Sequence, residues 1–164
     1  MTDRQIRVKA LVRSIISYLE KHRVEMSGVE MTLRKLEKID LSDHNLVDVK
    51  PKGTRHEKVL NQAIYEIKAL QLNEIANCLY SAKNDLVWLE DNSQYYQPGA
   101  NLGPGYKNCN LHTLLIGPNS CGYQSNDFLL GVFMLGPRTL YRDHKHDAPE
   151  LYLNLSDKSG WRFE

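Results

Sequence analysis

The chain has 164 residues, 41% of them hydrophobic, and a formal net charge of +1. This length suits one domain, or one domain with an appendage, and allows a sizeable core. The near-neutral charge argues against a basic nucleic-acid-binding face, and no apolar run approaches the roughly 18 residues of a membrane-spanning helix.

From the N-terminus, Thr2-Asp3-Arg4-Gln5 reads as a capping box. Val8, Leu11, Val12, Ile15, Ile16 and Leu19 then recur at helical spacing. Arg4, Arg7, Lys9 and Arg13 interrupt any apolar stretch there, so no signal peptide is expected and a cytoplasmic location is. Ser27 with Glu30 is expected to start a second helix carrying Val29, Leu33, Leu36 and Ile39. A loop with Pro51 and Gly53 follows. Thr54-Arg55-His56-Glu57 reads as another capping box, opening a long amphipathic run through Leu60, Ile64, Ile67, Leu70 and Ile75 to about Tyr80. Each helix has one apolar stripe and needs a surface to pack on.

The pattern then changes. Five of six prolines and eight of ten glycines fall from Pro98 onward. Leu86 to Leu89 is a short apolar run, and Asn92 to Gly105 reads as loop. Strands are expected over Leu111–Ile116, Phe128–Leu135, Tyr141–His144 and Glu150–Leu155, with a bend at Asp147-Ala148-Pro149, a turn at Asp157–Gly160 and a further strand opening at Trp161. The expected organisation is α+β: an N-terminal helical region over residues 1–85 and an antiparallel β domain over 86–164. Cys78, Cys109 and Cys121 are odd in number and lack C-x-x-C spacing, so they read as free thiols.

His144, His146, Glu150 and Tyr152 concentrate the chemistry, in the spacing H-x-H-x3-E followed two residues later by Tyr. Imidazole and carboxylate together suit a divalent first-row metal: zinc, iron, manganese or nickel. Strand parity puts Glu150, Tyr152 and Asn154 on one face and Leu151, Leu153 and Leu155 on the other. The polar face would line a pocket, and the leucine face would need the helices as cover. His22, His44 and His56 read as solvated, and His112, on a predicted strand, is a secondary candidate for the pocket. Tyr95 and Tyr96 read as loop packing, with a lid as the alternative.

The motif resembles the first motif of the cupin superfamily, small β-barrels that hold a metal inside. The wider stretch from Gly136-Pro137 through Tyr141, His144, His146, Glu150, Tyr152, Leu155-Ser156 and Trp161 is similar to the cupin-type dimethylsulfoniopropionate (DMSP) lyases, over roughly residues 111 to 163. The resemblance implies that His146 and Glu150 are metal ligands and that His144 is a ligand or an immediate neighbour. It places Tyr152 to coordinate the metal or act as base, and Tyr141 as a second pocket tyrosine. It gives Trp161 an apolar wall or, in the blander reading, core packing. It also implies a second motif with a further histidine, yet no histidine follows His146. The barrel therefore reads as incomplete. The expectation is a truncated form; the alternatives are completion by another polypeptide and loss of the second half.

The implied activity is that of a carbon–sulfur lyase, cleaving DMSP to dimethyl sulfide and acrylate by β-elimination. Tyr152 is the first candidate for base, since a phenol with a reference pKa of about 10 becomes more acidic beside a dication. Tyr141 is the second candidate, or a donor to the substrate carboxylate. Trp88, Trp161 and Tyr106 are the aromatic candidates for the sulfonium. The expected partners are a small DMSP-like carboxylate and a second copy of the chain in a homodimer, with no nucleic acid or membrane. The same motif also suits a metal-binding cupin acting on another small carboxylate or a sugar, or a non-catalytic cupin sensor or dimerisation module.

Overall fold

The computed structural model of the chain describes residues 1–91, 101–142, 148–156 and 159–160. Helix α1 spans Asp3–Lys21, and its capping box forms as expected, with Thr2 and Gln5 satisfying each other's backbone N–H groups. Val8, Leu11 and Val12 are fully buried along its stripe. Burying each such side chain contributes about 1.5–3 kcal/mol, so this face anchors the helix more firmly than its cap does. Helix α2 covers Ser27–Leu36, with Met26 at the N-cap, so Ser27 lies inside the helix instead of capping it.

The expected long helix after Thr54 is broken in two. Helix α3 is Glu57–Tyr65, a 3-10 turn covers Leu70–Leu72, and α4 is Asn73–Ala82. The buried stripe explains the break: it runs Leu60, Ile64, Ile67 and then Leu72, Ile75, Leu79. The five-residue step from Ile67 to Leu72 would put Leu72 about 140° off the stripe of a straight helix. The chain bends, and Leu70 is left 84% exposed. The predicted capping box at Thr54 is also replaced: Thr54 Oγ1 accepts from the His56 amide, and His56 is the N-cap.

Helix α5, Pro104–Asn108, begins inside the stretch Asn92–Gly105 that the sequence reads as loop. Proline at the first helical position suits it, because that N–H has no helical acceptor. The preceding Gly103 has φ +84°, which favours glycine. Strand β1, Asn110–Ile116, pairs antiparallel with β2, Leu130–Leu135, placing His112 opposite Phe133. On the other edge of β1, Leu89 and His112 exchange both backbone hydrogen bonds at 2.9 Å.

Leu111, Thr113 and Leu115 of β1 are buried toward the helices, and one core draws on both halves of the chain. The chain is therefore α+β. Among the described residues the sheet has two strands and does not close into a barrel. Nor do the described parts of the two later predicted strands form any. Tyr141 and Arg142 lie in irregular backbone, and Glu150–Leu155 is extended but pairs with no strand among the described residues. Alternating burial is present there without the ladder of hydrogen bonds that defines a sheet.

Arg4 fastens three loops to α1. It is 8% exposed and donates to the carbonyls of Asp85, Val47 and Cys121 at 3.1, 3.0 and 2.6 Å. Cys78, Cys109 and Cys121 are free thiols. Among the described residues no helix is long and apolar enough to cross a membrane.

Candidate functional site

Segment 150–156 keeps the parity that its sequence implies. Leu151, Leu153 and Leu155 are partly buried against the core, while Glu150, Tyr152, Asn154 and Ser156 are exposed. Leu151 Cδ1 would lie 3.7 Å from a Cβ on Gly28, so the segment runs over the start of α2. The helices thus supply the cover that the leucine face needs. On the open face the Tyr152 hydroxyl donates to Glu150 Oε2 at 2.6 Å.

Tyr141 belongs to a second cluster. Its ring stacks on Tyr106, with centroids 5.1 Å apart and planes 13° from parallel. Phe133 lies 5.6 Å from Tyr141 and 6.3 Å from Tyr106. Parity along β2 puts Phe133 on the sheet face away from the helical core, and it is 40% exposed. Under this platform the Tyr106 hydroxyl donates to Asp91 Oδ2 at 2.6 Å. Asn110 closes the network. Its Oδ1 accepts from the Asp91 amide, and its Nδ2 donates to the carbonyls of Asp91 and Tyr106. Asp91, Tyr106 and Asn110 are all buried, which strengthens these bonds and raises the cost of breaking any one.

His112 is half-buried on β1. Burial pushes its imidazole below the ordinary value, and the negative charge of Asp91 partly opposes this. His56 is not solvated as expected. Its side chain is 16% exposed and Nε2 lies 3.5 Å from Glu90, which Arg55 also holds. Glu90 is drawn below its usual range mainly by the Arg55 hydrogen bonds. Nearby, burial raises the Cys109 thiol, and Glu90 adds to the effect.

Of the residues singled out by sequence, Glu150 and Tyr152 come together, and Tyr141 sits on the aromatic platform. His144, His146, Trp161, Tyr95 and Tyr96 lie outside the described residues. Among the described residues no three His, Cys, Asp or Glu side chains converge as a metal cluster. Trp88 is corrected as a sulfonium candidate. It is 2% exposed and its Nε1 donates to the Lys83 carbonyl, so it is core. Tyr106 is equally buried and lies beneath Tyr141. Sequence reasoning missed Asp91, Asn110 and Phe133. The first two meet across 19 residues through bonds that no local pattern announces. The alternation of β2 did carry a signal for Phe133. A shallow apolar cleft between α1 and α4, lined by Ile6, Arg7, Ala10, Asn77, Cys78 and Ser81, shares no residue with either cluster.

The protein is α+β and carries two groupings, a carboxylate–phenol pair and a packed aromatic platform. The family model for dimethylsulfoniopropionate lyase matches residues 29–164, and the chain belongs to that family. Comparisons with curated proteins and with solved structures gave no match.

Proposed function

We propose that this chain is a metal-dependent carbon–sulfur lyase of the cupin type, cleaving DMSP to dimethyl sulfide and acrylate. Family membership supports the substrate class. The observation that carries the residue assignment is the Tyr152–Glu150 pair, 2.6 Å apart on an open face whose reverse side is packed on the core.

The donor chemistry fits a divalent first-row cation, with imidazole from His144 and His146 and carboxylate from Glu150 as the principal proposed ligands and the phenol oxygen of Tyr152 as a weaker, additional one. A bound dication supplies positive charge to offset the charge that builds on the substrate carboxylate. Tyr152 is the proposed base. Its hydroxyl hydrogen bonds to Glu150; once its proton is lost to solvent, which a dication nearby would favour, the phenolate takes the proton from the carbon next to the substrate carboxylate. The electrons of that C–H bond form the new double bond. Those of the C–S bond leave with sulfur as neutral dimethyl sulfide, and the proton remains on Tyr152. Tyr141 donates a hydrogen bond to the substrate carboxylate or serves as the alternative base. Phe133, exposed beside Tyr141, offers an aromatic face to the sulfonium. A homodimer is part of the proposal.

The test is headspace measurement of dimethyl sulfide, with acrylate in solution, from the full chain loaded with zinc, manganese, iron or nickel. Release of both products in equal amounts, abolished by a chelator, is expected. Turnover of another small carboxylate or a sugar with none of DMSP would overturn the assignment.

A further inference from the structure

We infer that Asp91 and Tyr106 are positioning residues for Tyr141. This inference rests on the proposed role of Tyr141 in the DMSP pocket. Tyr141 lies in irregular backbone, outside the two strands of the described sheet. Side-chain packing contributes to its place. The nearly parallel stack on Tyr106 sets the plane of the ring, and Phe133 bounds one side.

Tyr106 is itself locked. Its hydroxyl is held by the buried Asp91 carboxylate, and Asn110 grips both the backbone of Asp91 and the carbonyl of Tyr106. The backbone near Tyr141 is held against the same turn. A Cβ on Gly105 would meet Thr139 Oγ1 at 2.9 Å, and one on Gly103 would lie 3.6 Å from the Leu140 carbonyl. Gly105 therefore lets the segment before Tyr141 rest directly on α5, whereas a Cβ at Gly103 would make only ordinary contact there. The buried carboxylate costs desolvation energy that a plain core side chain would not. It sits where it fixes the angle of one aromatic ring, and that ring carries a pocket tyrosine. A displacement of about 1 Å at such a group lowers turnover by up to about 100-fold.

The experiment uses the full, metal-loaded chain and compares Tyr106→Phe, Asp91→Leu, Asp91→Asn and Tyr141→Phe. Kinetic constants for DMSP, metal content and the tyrosine ring-proton NMR signals of ¹³C-tyrosine-labelled protein are measured, with Tyr141→Phe assigning the Tyr141 signals. We expect kcat to fall roughly 10- to 100-fold in Tyr106→Phe and Asp91→Leu, with KM and metal content near wild type. Asp91→Asn keeps an oxygen acceptor and should recover most of kcat. The Tyr141 ring signals, shifted in the wild type by the stacked ring, should move toward free-tyrosine values in Asp91→Leu. Wild-type kcat in folded Tyr106→Phe and Asp91→Leu, with unmoved Tyr141 signals, overturns the positioning role alone. Wild-type turnover in Tyr141→Phe overturns the role of Tyr141 itself. A metal-loaded wild type that releases no dimethyl sulfide overturns the functional reading and this inference together.

Discussion

The Tyr152 hydroxyl donates to Glu150 Oε2 at 2.6 Å, across a spacing of two residues on the open side of an extended segment. Side chains two apart on extended backbone share a face. Leu151, Leu153 and Leu155 keep that face turned outward by packing on the core. A carboxylate proposed as ligand and a phenol proposed as base are thus held together by the leucines between and beyond them.

Glu150→Gln keeps the size of the side chain and removes its charge. Zinc affinity measured by calorimetric titration should drop by more than the roughly 10–100-fold typical of losing a partner one step removed from a metal. Unchanged affinity would remove Glu150 from the ligand set.

Acid should weaken the fold through His112. The unfolded chain takes up a proton there near 6.5, while the half-buried imidazole does so only at lower pH. Unfolding therefore absorbs a proton between those values. The contribution is complete above about 6.5 and is lost as the pH falls through the folded value. Glu90, held below 4.5 by Arg55, acts in the same direction in a lower window. Urea midpoints should be flat from pH 8 to 7 and decline below about 6.5. His112→Gln should flatten the upper part of that decline and leave the lower part, and an unaltered profile would contradict the assignment.

Gly122→Ala should destabilise the fold by about 1–3 kcal/mol or more. A Cβ there would collide with the Leu115 carbonyl, which accepts from the Tyr123 amide at 2.9 Å. The two backbones cannot separate without breaking that bond. Gly53→Ala is the control, because nothing lies within 4 Å of its added methyl. Thermal unfolding of both variants measures the contrast.

Arg4→Ala should cost about 1–3 kcal/mol or more, since the Cys121 carbonyl loses its donor in a buried setting and those of Asp85 and Val47 in half-buried ones. Arg4→Lys keeps the charge but cannot span three acceptors in one plane, so its unfolding midpoint should fall between those of Arg4→Ala and wild type.

Local patterns carried much of this fold. The stripe of α1 and its Thr2–Gln5 cap were legible because both depend on residues within one or two turns. The parity of 150–156 was legible for the same reason. The break between α3 and α4 was not anticipated, although the five-residue step from Ile67 to Leu72 held the signal. Leu70 stood nearer the expected period and proved exposed. Glu150–Leu155 keeps its alternation but pairs with no strand among the described residues, because alternation reports burial and cannot supply a hydrogen-bonding partner; Tyr141–His144 lies partly outside them. Asp91, Tyr106 and Asn110 were out of reach as a unit. Each looks like an ordinary loop or turn residue until the chain brings them together.

Turnover of Tyr152→Phe, measured with metal content on the same preparation, tests the role of Tyr152 most directly. The variant should keep its metal to within a modest loss and release dimethyl sulfide at least about 100-fold more slowly than wild type. Turnover equal to wild type would contradict Tyr152 as the base.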